Sequence, residues 1–172
     1  QSEGRRPFLI PLGASTPTGA LGFDAAVDEM LAQGVRPDVI VHAGSSGGTQ
    51  AGLIAGVARN GLAARVIAVS ADDPAAAIAS TVRAIVRAIP GCDSFDGAIT
   101  VDDTMVGDGY GIPTDASREA QRLLARTEAL FVDHTYTAKA AAALIACARD
   151  GRFSSDETVL FWHTGGQVGL FA

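Results

Sequence analysis

The stretch DVIVHAGSSGGTQAGLIAGVAR, residues 38–59, joins two apolar runs through a loop of glycine and hydroxyl residues. The first run, residues 38–42, has the length and composition of a buried strand. The second run, residues 50–59, consists mostly of small and apolar residues and predicts a helix. The stretch therefore predicts a strand, a tight glycine-rich turn and a helix, in that order.

The rest of the chain repeats this alternation of short apolar runs and longer helical patterns. Further strands are predicted at residues 7–11, 65–70, 98–101 and 158–162, and further helices at residues 20–33, 73–89, 115–130 and 136–149. Strands that are continuous apolar runs separated by helices indicate an α/β fold, with a mostly parallel twisted sheet and helices on both faces. Ligands of such folds bind beyond the carboxyl ends of the strands. The glycine-rich segments at residues 44–48 and 165–166 each follow a strand, so both are expected at that edge.

Length and composition limit the class of protein. A chain of 172 residues with 48% hydrophobic residues is sized for one globular domain. The net charge of -6 and the scattered basic residues argue against nucleic acid as a partner. No apolar run approaches the ~20 residues that span a bilayer, and the distant Cys92 and Cys147 suggest neither a disulfide framework nor a metal site. A cytoplasmic protein without membrane contact or a bound metal is therefore the expectation.

The glycine-rich loop at residues 44–49 has the composition of an anion site. Successive backbone N–H groups in such a turn, followed by a helix N-terminus, present donors and a positive dipole end to a phosphate. Ser45, Ser46 and Thr49 add hydroxyl donors, and Gly47 and Gly48 let the backbone approach a ligand closely. The Gly-Lys-Ser/Thr ending of a nucleotide-binding P-loop is absent, which favours a cofactor phosphate over a transferred one.

Two other interpretations of the same loop stay open on these residues alone. Residues 44–48, GSSGG, match the G-x-S-x-G elbow of serine hydrolases, with Ser46 as nucleophile and Asp133 and His163 following in the required order. The loop is also compatible with a plain strand-to-helix turn that holds no ligand, or with a noncatalytic ligand-binding module. Short glycine and serine motifs arise easily by chance, so the elbow is weaker than the anion site.

Four segments, taken in order, resemble a known family. They are GRRPFLIPLGAS at residues 4–15 with GALG at 19–22, AGSSGGTQAGL at 43–53, GYGIP at 109–113, and YTAK at 136–139 paired with HTGG at 163–166. Together they are similar to the C-terminal half of the pyridoxal-phosphate enzymes of the D-cysteine desulfhydrase and 1-aminocyclopropane-1-carboxylate deaminase family. That family has the tryptophan-synthase-β fold, also called fold type II.

The resemblance implies roles for individual residues around pyridoxal 5'-phosphate. The glycine-rich loop would hold the cofactor phosphate, Tyr110 and Tyr136 would be the catalytic residues on the substrate side, and Thr137 and Thr164 would lie near the pyridine nitrogen. A neutral hydroxyl there stabilises a pyridinium less than a carboxylate does, which favours elimination chemistry. The cofactor-binding set implied in this way is Ser45, Ser46, Gly47, Gly48, Thr49, Thr137, Thr164 and Gly165.

The resemblance also implies a substrate class. Threonine at positions 137 and 164 looks like the desulfhydrase side of the family, so β-elimination from a sulfur-containing amino acid such as D-cysteine is expected, giving pyruvate, ammonia and sulfide. Sulfite release from L-cysteate fits the same pattern, and opening of the cyclopropane amino acid fits it less well. The chain departs from the family pattern in AST at residues 14–16 and QVG at residues 167–169, both in ligand-facing loops.

A pyridoxal enzyme needs a lysine amine, and Lys139 is the single lysine in this sequence. In the family the Schiff-base lysine lies well upstream, so Lys139 is expected to be structural or charge-pairing on a helix face. Residues 1–172 would then be the C-terminal, phosphate-binding part of the large domain. An N-terminal polypeptide portion would supply the smaller domain and the lysine, joined near the exposed QSEGRR segment. The resemblance further implies a homodimer.

Overall fold

The computed structural model describes Gly4, residues 6–166 and Gly169, and these form a single parallel sheet covered by helices. The chain order is α1 (Pro17–Ala32), β1 (Val39–Gly44), α2 (Gly48–Arg59), β2 (Arg65–Ser70), α3 (Ala75–Arg87), β3 (Thr100–Asp102), α4 (Asp115–Thr127), α5 (Thr137–Arg149) and β4 (Val159–Trp162). The strand order across the sheet is β3-β2-β1-β4, with every neighbouring pair parallel. The predicted α/β fold is confirmed.

The central strand β1 is buried along its whole length, because both faces of the sheet are covered. Ile40 packs into a core formed with α1, α2 and α3, whereas Val39 and Val41 pack with α5 on the opposite face. Successive side chains of a strand point to opposite faces, so a strand covered on both sides must be apolar at every position. This requirement explains the uninterrupted apolar run that begins the deciding stretch.

Helices α1 and α2 pack so closely that glycine is required between them. A Cβ on Gly52 would meet the carbonyl oxygen of Ala20 and would lie 2.6 Å from the Cβ of Phe23. A Cβ on Gly56 would lie 2.7 Å from a methyl carbon of Val27. The glycines of α2 therefore hold the helix that begins at the glycine-rich loop against its neighbour.

Local capping explains where two helices begin. The Thr16 side chain accepts a hydrogen bond from the Gly19 N–H at 3.0 Å, so α1 begins at Pro17, three residues before the predicted start. Thr114 and Ser117 exchange side-chain and backbone hydrogen bonds in a capping box, and α4 begins at Asp115 as predicted. No helix within the described residues is long and apolar enough to cross a membrane.

The prediction of a buried strand at residues 7–11 is wrong. The segment forms neither strand nor helix, and Phe8, Leu9 and Leu12 are 87–89% exposed. Apolar composition predicts burial only if another element lies beside the segment. In the part of the chain that the structure describes, no strand pairs with it.

Candidate active site

A cavity of about 610 Å³ opens at the carboxyl end of β1. Its wall includes the glycine-rich loop, hereafter the glycine loop (residues 44–49), and Tyr110, Tyr136 and Thr164 from three other segments. The predicted site residues that line it are Ser45, Ser46, Gly47, Thr49, Tyr110, Tyr136 and Thr164. The volume lies within the ~300–1,000 Å³ that is usual for small-molecule sites.

The glycine loop turns directly into the N-terminus of α2. Gly47 precedes the helix with φ of 88°, a left-handed conformation that favours glycine, and as a glycine it has no side chain of its own to cap the helix. The first turn of a helix carries N–H groups without intrahelical partners and the positive end of the dipole. The cavity wall therefore contains a helix N-terminus suited to an anion, and phosphate binding there stays a prediction.

Hydroxyl groups surround this turn, but three of them already have partners. Ser15 Oγ donates to Ser46 Oγ at 2.7 Å and accepts from the Gly48 N–H at 3.1 Å. Ser45 Oγ donates to Asp72 Oδ1 at 3.0 Å. Ser15 thus occupies part of the donor set of the loop, a contribution that sequence reasoning missed although the residue lies in the departing segment AST.

The geometry does not assemble a serine hydrolase triad around Ser46. His163 Nε2 lies 3.0 Å from the Phe131 carbonyl and Nδ1 accepts from the Gly165 N–H at 2.9 Å, so both ring nitrogens are engaged away from Ser46. A carbonyl only accepts, which places the ring proton on Nε2. His163 positions the chain around Gly165, as expected for a residue that is not a base.

Asp133 caps the N-terminus of α5. Its carboxylate accepts from the N–H groups of Thr135, Tyr136 and Thr137 at 2.8–2.9 Å and from Thr137 Oγ1 at 2.7 Å. Burial by itself would raise the pKa of Asp133, but the hydrogen bonds outweigh it and hold the pKa below its usual range. The Thr137 hydroxyl takes part in this cap. Thr137 is not among the described residues that line the cavity, so its contact with the pyridine nitrogen stays a prediction.

Two tyrosines, Tyr110 and Tyr136, lie next to each other on the cavity wall. Tyr110 Oη and Tyr136 Oη are 2.6 Å apart, and their rings meet edge to face with centroids 5.6 Å apart. Burial, its hydrogen bond with Tyr110, and the nearby charge of Asp72 all raise the pKa of Tyr136. Tyr136 therefore keeps its proton at neutral pH, and its catalytic role stays a prediction.

Sequence reasoning also missed two buried polar side chains on the cavity wall. His42 and Gln50 are almost completely buried, and His42 Nε2 and Gln50 Oε1 have no hydrogen-bond partner in the described residues. His42 Nδ1 donates to the Ala43 carbonyl at 2.8 Å, so Nε2 is an acceptor. The position of His42 at the end of an apolar strand run is the one sequence signal that places it at this edge of the sheet.

Burial lowers the pKa of His42 to about 4 from an ordinary value of 6.5. The unfolded chain binds this proton below pH 6.5 whereas the folded protein does so only near pH 4, so stability is lost as pH falls between the two values. The loss amounts to about 3 kcal/mol. We expect His42→Leu to remove this part of the pH dependence, measured by urea unfolding of the cofactor-free protein at pH 7, 5.5 and 4. Equal pH dependence in the two proteins would contradict the assignment.

A helix N-terminus with neighbouring hydroxyls and a tyrosine pair line one cavity at the carboxyl edge of a parallel sheet, an arrangement suited to a small molecule that carries a phosphate. The model of the family described as "Pyridoxal-phosphate dependent enzyme" matches residues 1–165. This chain belongs to that family, and the family's cofactor is pyridoxal phosphate.

Named relatives agree with this family. The chain is 37% identical to a 1-aminocyclopropane-1-carboxylate deaminase of Burkholderia multivorans over 182 residues and 36% identical to a D-cysteine desulfhydrase of Salmonella typhi over 177 residues. In both comparisons all of this chain is matched to 54% of the relative. A solved structure described as an ACC deaminase homologue superposes with a TM-score of 0.88 at 31% identity, covering 98% of this chain and 52% of the other. The chain thus spans about half the length of these relatives.

The residues present fit the cofactor's phosphate. The N-terminus of α2 supplies the backbone donors that Ser15 does not occupy, and Thr49 supplies a hydroxyl on the same wall. A Cβ at position 48 would lie 2.8 Å from Ser15 Oγ, so glycine there keeps the loop and Ser15 together. Gly48 and Gly165 are not among the described lining residues, and their predicted contacts with the cofactor remain predictions.

Proposed function

We propose that this chain forms the phosphate-binding and substrate-facing part of a pyridoxal-phosphate-dependent lyase. Its substrate is a sulfur-containing amino acid such as D-cysteine, which reacts with water to give pyruvate, ammonia and sulfide. The observation that carries the proposal is the placement of the glycine loop and the Tyr110–Tyr136 pair on one cavity wall. The first group is suited to a phosphate and the second to proton transfer at a substrate.

The roles of the residues follow from their hydrogen-bonding chemistry. The glycine loop binds the phosphate through the N-terminus of α2 and the hydroxyls of Ser46 and Thr49. Thr164, also on the wall, contacts the ring. The bound cofactor supplies the electron sink for breaking the bond to the α-proton and the bond to sulfur.

Tyr136 is the proton donor in this proposal. Its raised pKa keeps the phenol protonated, and Tyr110 Oη at 2.6 Å can return a proton after transfer. A β-SH group that accepts a proton leaves as hydrogen sulfide, which is a better leaving group than hydrosulfide. Tyr136 therefore donates a proton to the departing β-substituent, and Tyr110 supplies a second proton that reprotonates Tyr136.

The amine for the cofactor comes from another part of the protein. All three N–H groups of Lys139 are bonded to backbone carbonyls, which leaves no lysine amine on the cavity wall among the described residues. In this proposal residues 1–172 are the C-terminal part of the large domain, and the remainder of the polypeptide brings the smaller domain and the Schiff-base lysine. The exposed Phe8, Leu9 and Leu12 offer an apolar surface for that portion to cover. A homodimer, which rests on the resemblance, and a cytoplasmic location, which rests on the composition, belong to the same proposal.

Opening of 1-aminocyclopropane-1-carboxylate is the second candidate, because a relative at 37% identity carries the name of that deaminase. The products separate the candidates. D-Cysteine would give pyruvate with sulfide, L-cysteate would give pyruvate with sulfite, and the cyclopropane amino acid would give a four-carbon 2-oxo acid. Steady-state kinetics of the complete protein on the three substrates rank them directly.

The complete protein is expected to show the visible absorbance band of lysine-bound cofactor and to titrate with pyridoxal phosphate. Thr49→Val should weaken cofactor binding about tenfold to a hundredfold, since a hydrogen bond to a charged group contributes about 1.5–3 kcal/mol. Thr127→Val is the matched control, because that hydroxyl donates to the Leu123 carbonyl on exposed α4. A protein that binds no pyridoxal phosphate and is labelled at Ser46 by an active-site serine probe would overturn the proposal.

A further inference from the structure

Lys139 is fully buried in the first turn of α5, where the helix is otherwise built from small apolar residues. Its Nζ donates to the carbonyl oxygens of Val106 at 2.8 Å, Gly109 at 2.9 Å and Ala71 at 3.2 Å. An ammonium has three N–H donors, so this cage satisfies all of them. Removing an ammonium from water costs free energy unless such partners are present, so the three carbonyls compensate the burial of the charge.

The cage holds a segment that contains no helix or strand, residues 103–114. Its internal turns are closed by long N–H···O contacts, at 3.4 Å from Val106 to Asp103 and from Gly109 to Val106 and at 3.3 Å from Ile112 to Gly109, and Met105 packs against α5. The two shortest bonds of the ammonium go to carbonyls of this segment, and the third goes to Ala71, just after β2. Lys139 is therefore a polar tether between α5, the sheet edge and the segment.

The Gly109 carbonyl belongs to the peptide group whose nitrogen is that of Tyr110. Peptide groups are planar, so fixing this oxygen fixes the direction in which Tyr110 leaves the loop. The Tyr110 side chain is 56% exposed, and its hydroxyl is nonetheless held 2.6 Å from that of Tyr136. Tyr136 itself precedes α5 by one residue, so the same helix N-terminus positions both partners.

We infer that Lys139 is a positioning residue that acts through the Gly109–Tyr110 peptide to align the two phenols for proton transfer. This inference rests on the proposed function, because alignment matters to activity only if the phenols act on a substrate. It assigns the single lysine of the chain a role distinct from the cofactor-binding lysine, and distinct from the surface charge pair that its sequence position suggests.

The test compares Lys139→Met with Tyr110→Phe and with the double variant in the complete protein. We expect Lys139→Met to lower kcat about 10- to 100-fold, a part of the ~100- to 10,000-fold that positioned proton transfer contributes. The KM and the cofactor absorbance band should stay close to those of the unmodified protein. In the Tyr110→Phe background the same substitution should lower kcat less than about twofold, because coupled residues act as one unit. Arg149→Met, on the exposed end of α5, is the control with unchanged kcat.

A second measurement needs no activity. The phenol titration of the cofactor-free protein, followed by ultraviolet difference absorbance, should show a lower pKa for Tyr136 in Lys139→Met, because separation from Tyr110 removes one cause of its raised value. Equal losses of kcat in the presence and absence of the Tyr110 hydroxyl, or an unchanged phenol titration, would overturn the inference. Failure of the proposed function is a different result, since the unmodified protein would then lack the cofactor band.

Thermal unfolding shows whether Lys139→Met is folded. If it is not, Lys139→Gln retains two amide N–H donors and replaces it in the same comparison. If neither folds, Gly109→Ala strains the same peptide at φ of 133°, where its Cβ meets no neighbour, while the ammonium stays in place. Its kcat loss should likewise disappear in the Tyr110→Phe background, and an undiminished loss would contradict the inference.

Discussion

Gly52→Ala is expected to lower the free energy of unfolding by about 3 kcal/mol, the upper part of the usual range for overpacking a core. The added methyl group would meet the Ala20 carbonyl and lie 2.6 Å from the Phe23 Cβ. The first of these atoms belongs to the backbone of α1, so relief requires α1 and α2 to move apart. Because α2 begins at the glycine loop, that movement should also weaken binding of pyridoxal phosphate.

Gly22→Ala is the matched control for this substitution. Gly22 lies on the exposed face of α1, and a Cβ there meets nothing within 4 Å. Alanine at an exposed helical position should stabilise the protein by about 0.5–1 kcal/mol relative to glycine. Urea unfolding of the complete protein measures both variants. Equal stability of the two would mean that α1 and α2 are not in the close contact described.

The strand, turn and helix at residues 38–59 could be predicted because local signals and tertiary burial agree there. β1 runs between two covered faces and must be apolar, Gly47 allows the left-handed turn, and α2 packs against α1 through Gly52 and Gly56. The same agreement predicts β2, whose bounds at Arg65 and Ser70 match the prediction. Where the same burial determines both the apolar sequence pattern and the packing of an element, the sequence is sufficient to predict that element.

The strand prediction for residues 7–11 is wrong because an apolar pattern indicates that a segment favours burial but does not indicate which strand would pair with it. Phe8 and Leu9 have the composition of a core strand, yet they are exposed in the described chain. A strand requires a neighbour for its backbone hydrogen bonds. Sequence carries no direct record of which neighbour that is.

Lys139 and Thr137 illustrate a second limit. The sequence predicts a structural or charge-pairing Lys139 on a helix face and a Thr137 near the pyridine nitrogen, but it does not predict that Lys139 is buried or that Thr137 is bonded to Asp133. The available signal was the run of alanines at residues 138–143, since a helix that is apolar all round is buried and its one charge must be bonded inside. Which carbonyls receive the ammonium depends on loops remote in sequence, and only the three-dimensional structure brings Val106 and Ala71 to it.

Tyr136→Phe is expected to lower kcat of the complete protein on D-cysteine by about 100- to 10,000-fold, the range for loss of a positioned proton donor. The ring and its packing are retained, so KM and the cofactor absorbance band should change little. Tyr110→Phe should be less damaging, because it removes the group that resupplies the proton and not the donor itself. Each variant removes a single phenolic oxygen, so the comparison separates the contributions of the Tyr136 and Tyr110 hydroxyls to kcat.

The pH profile gives an independent test of the same assignment. The pKa of Tyr136 is raised by burial first and by its hydrogen bond to Tyr110 second, so its deprotonation should limit kcat only above the ordinary tyrosine value of about 10. Tyr110→Phe removes the second cause and should move that alkaline limb to lower pH. Release of pyruvate and sulfide, measured from pH 6 upward within the range where the protein stays folded, records both effects. A Tyr136→Phe protein with unchanged kcat, or an alkaline limb that does not move in Tyr110→Phe, would show that the phenol pair does not supply the proton.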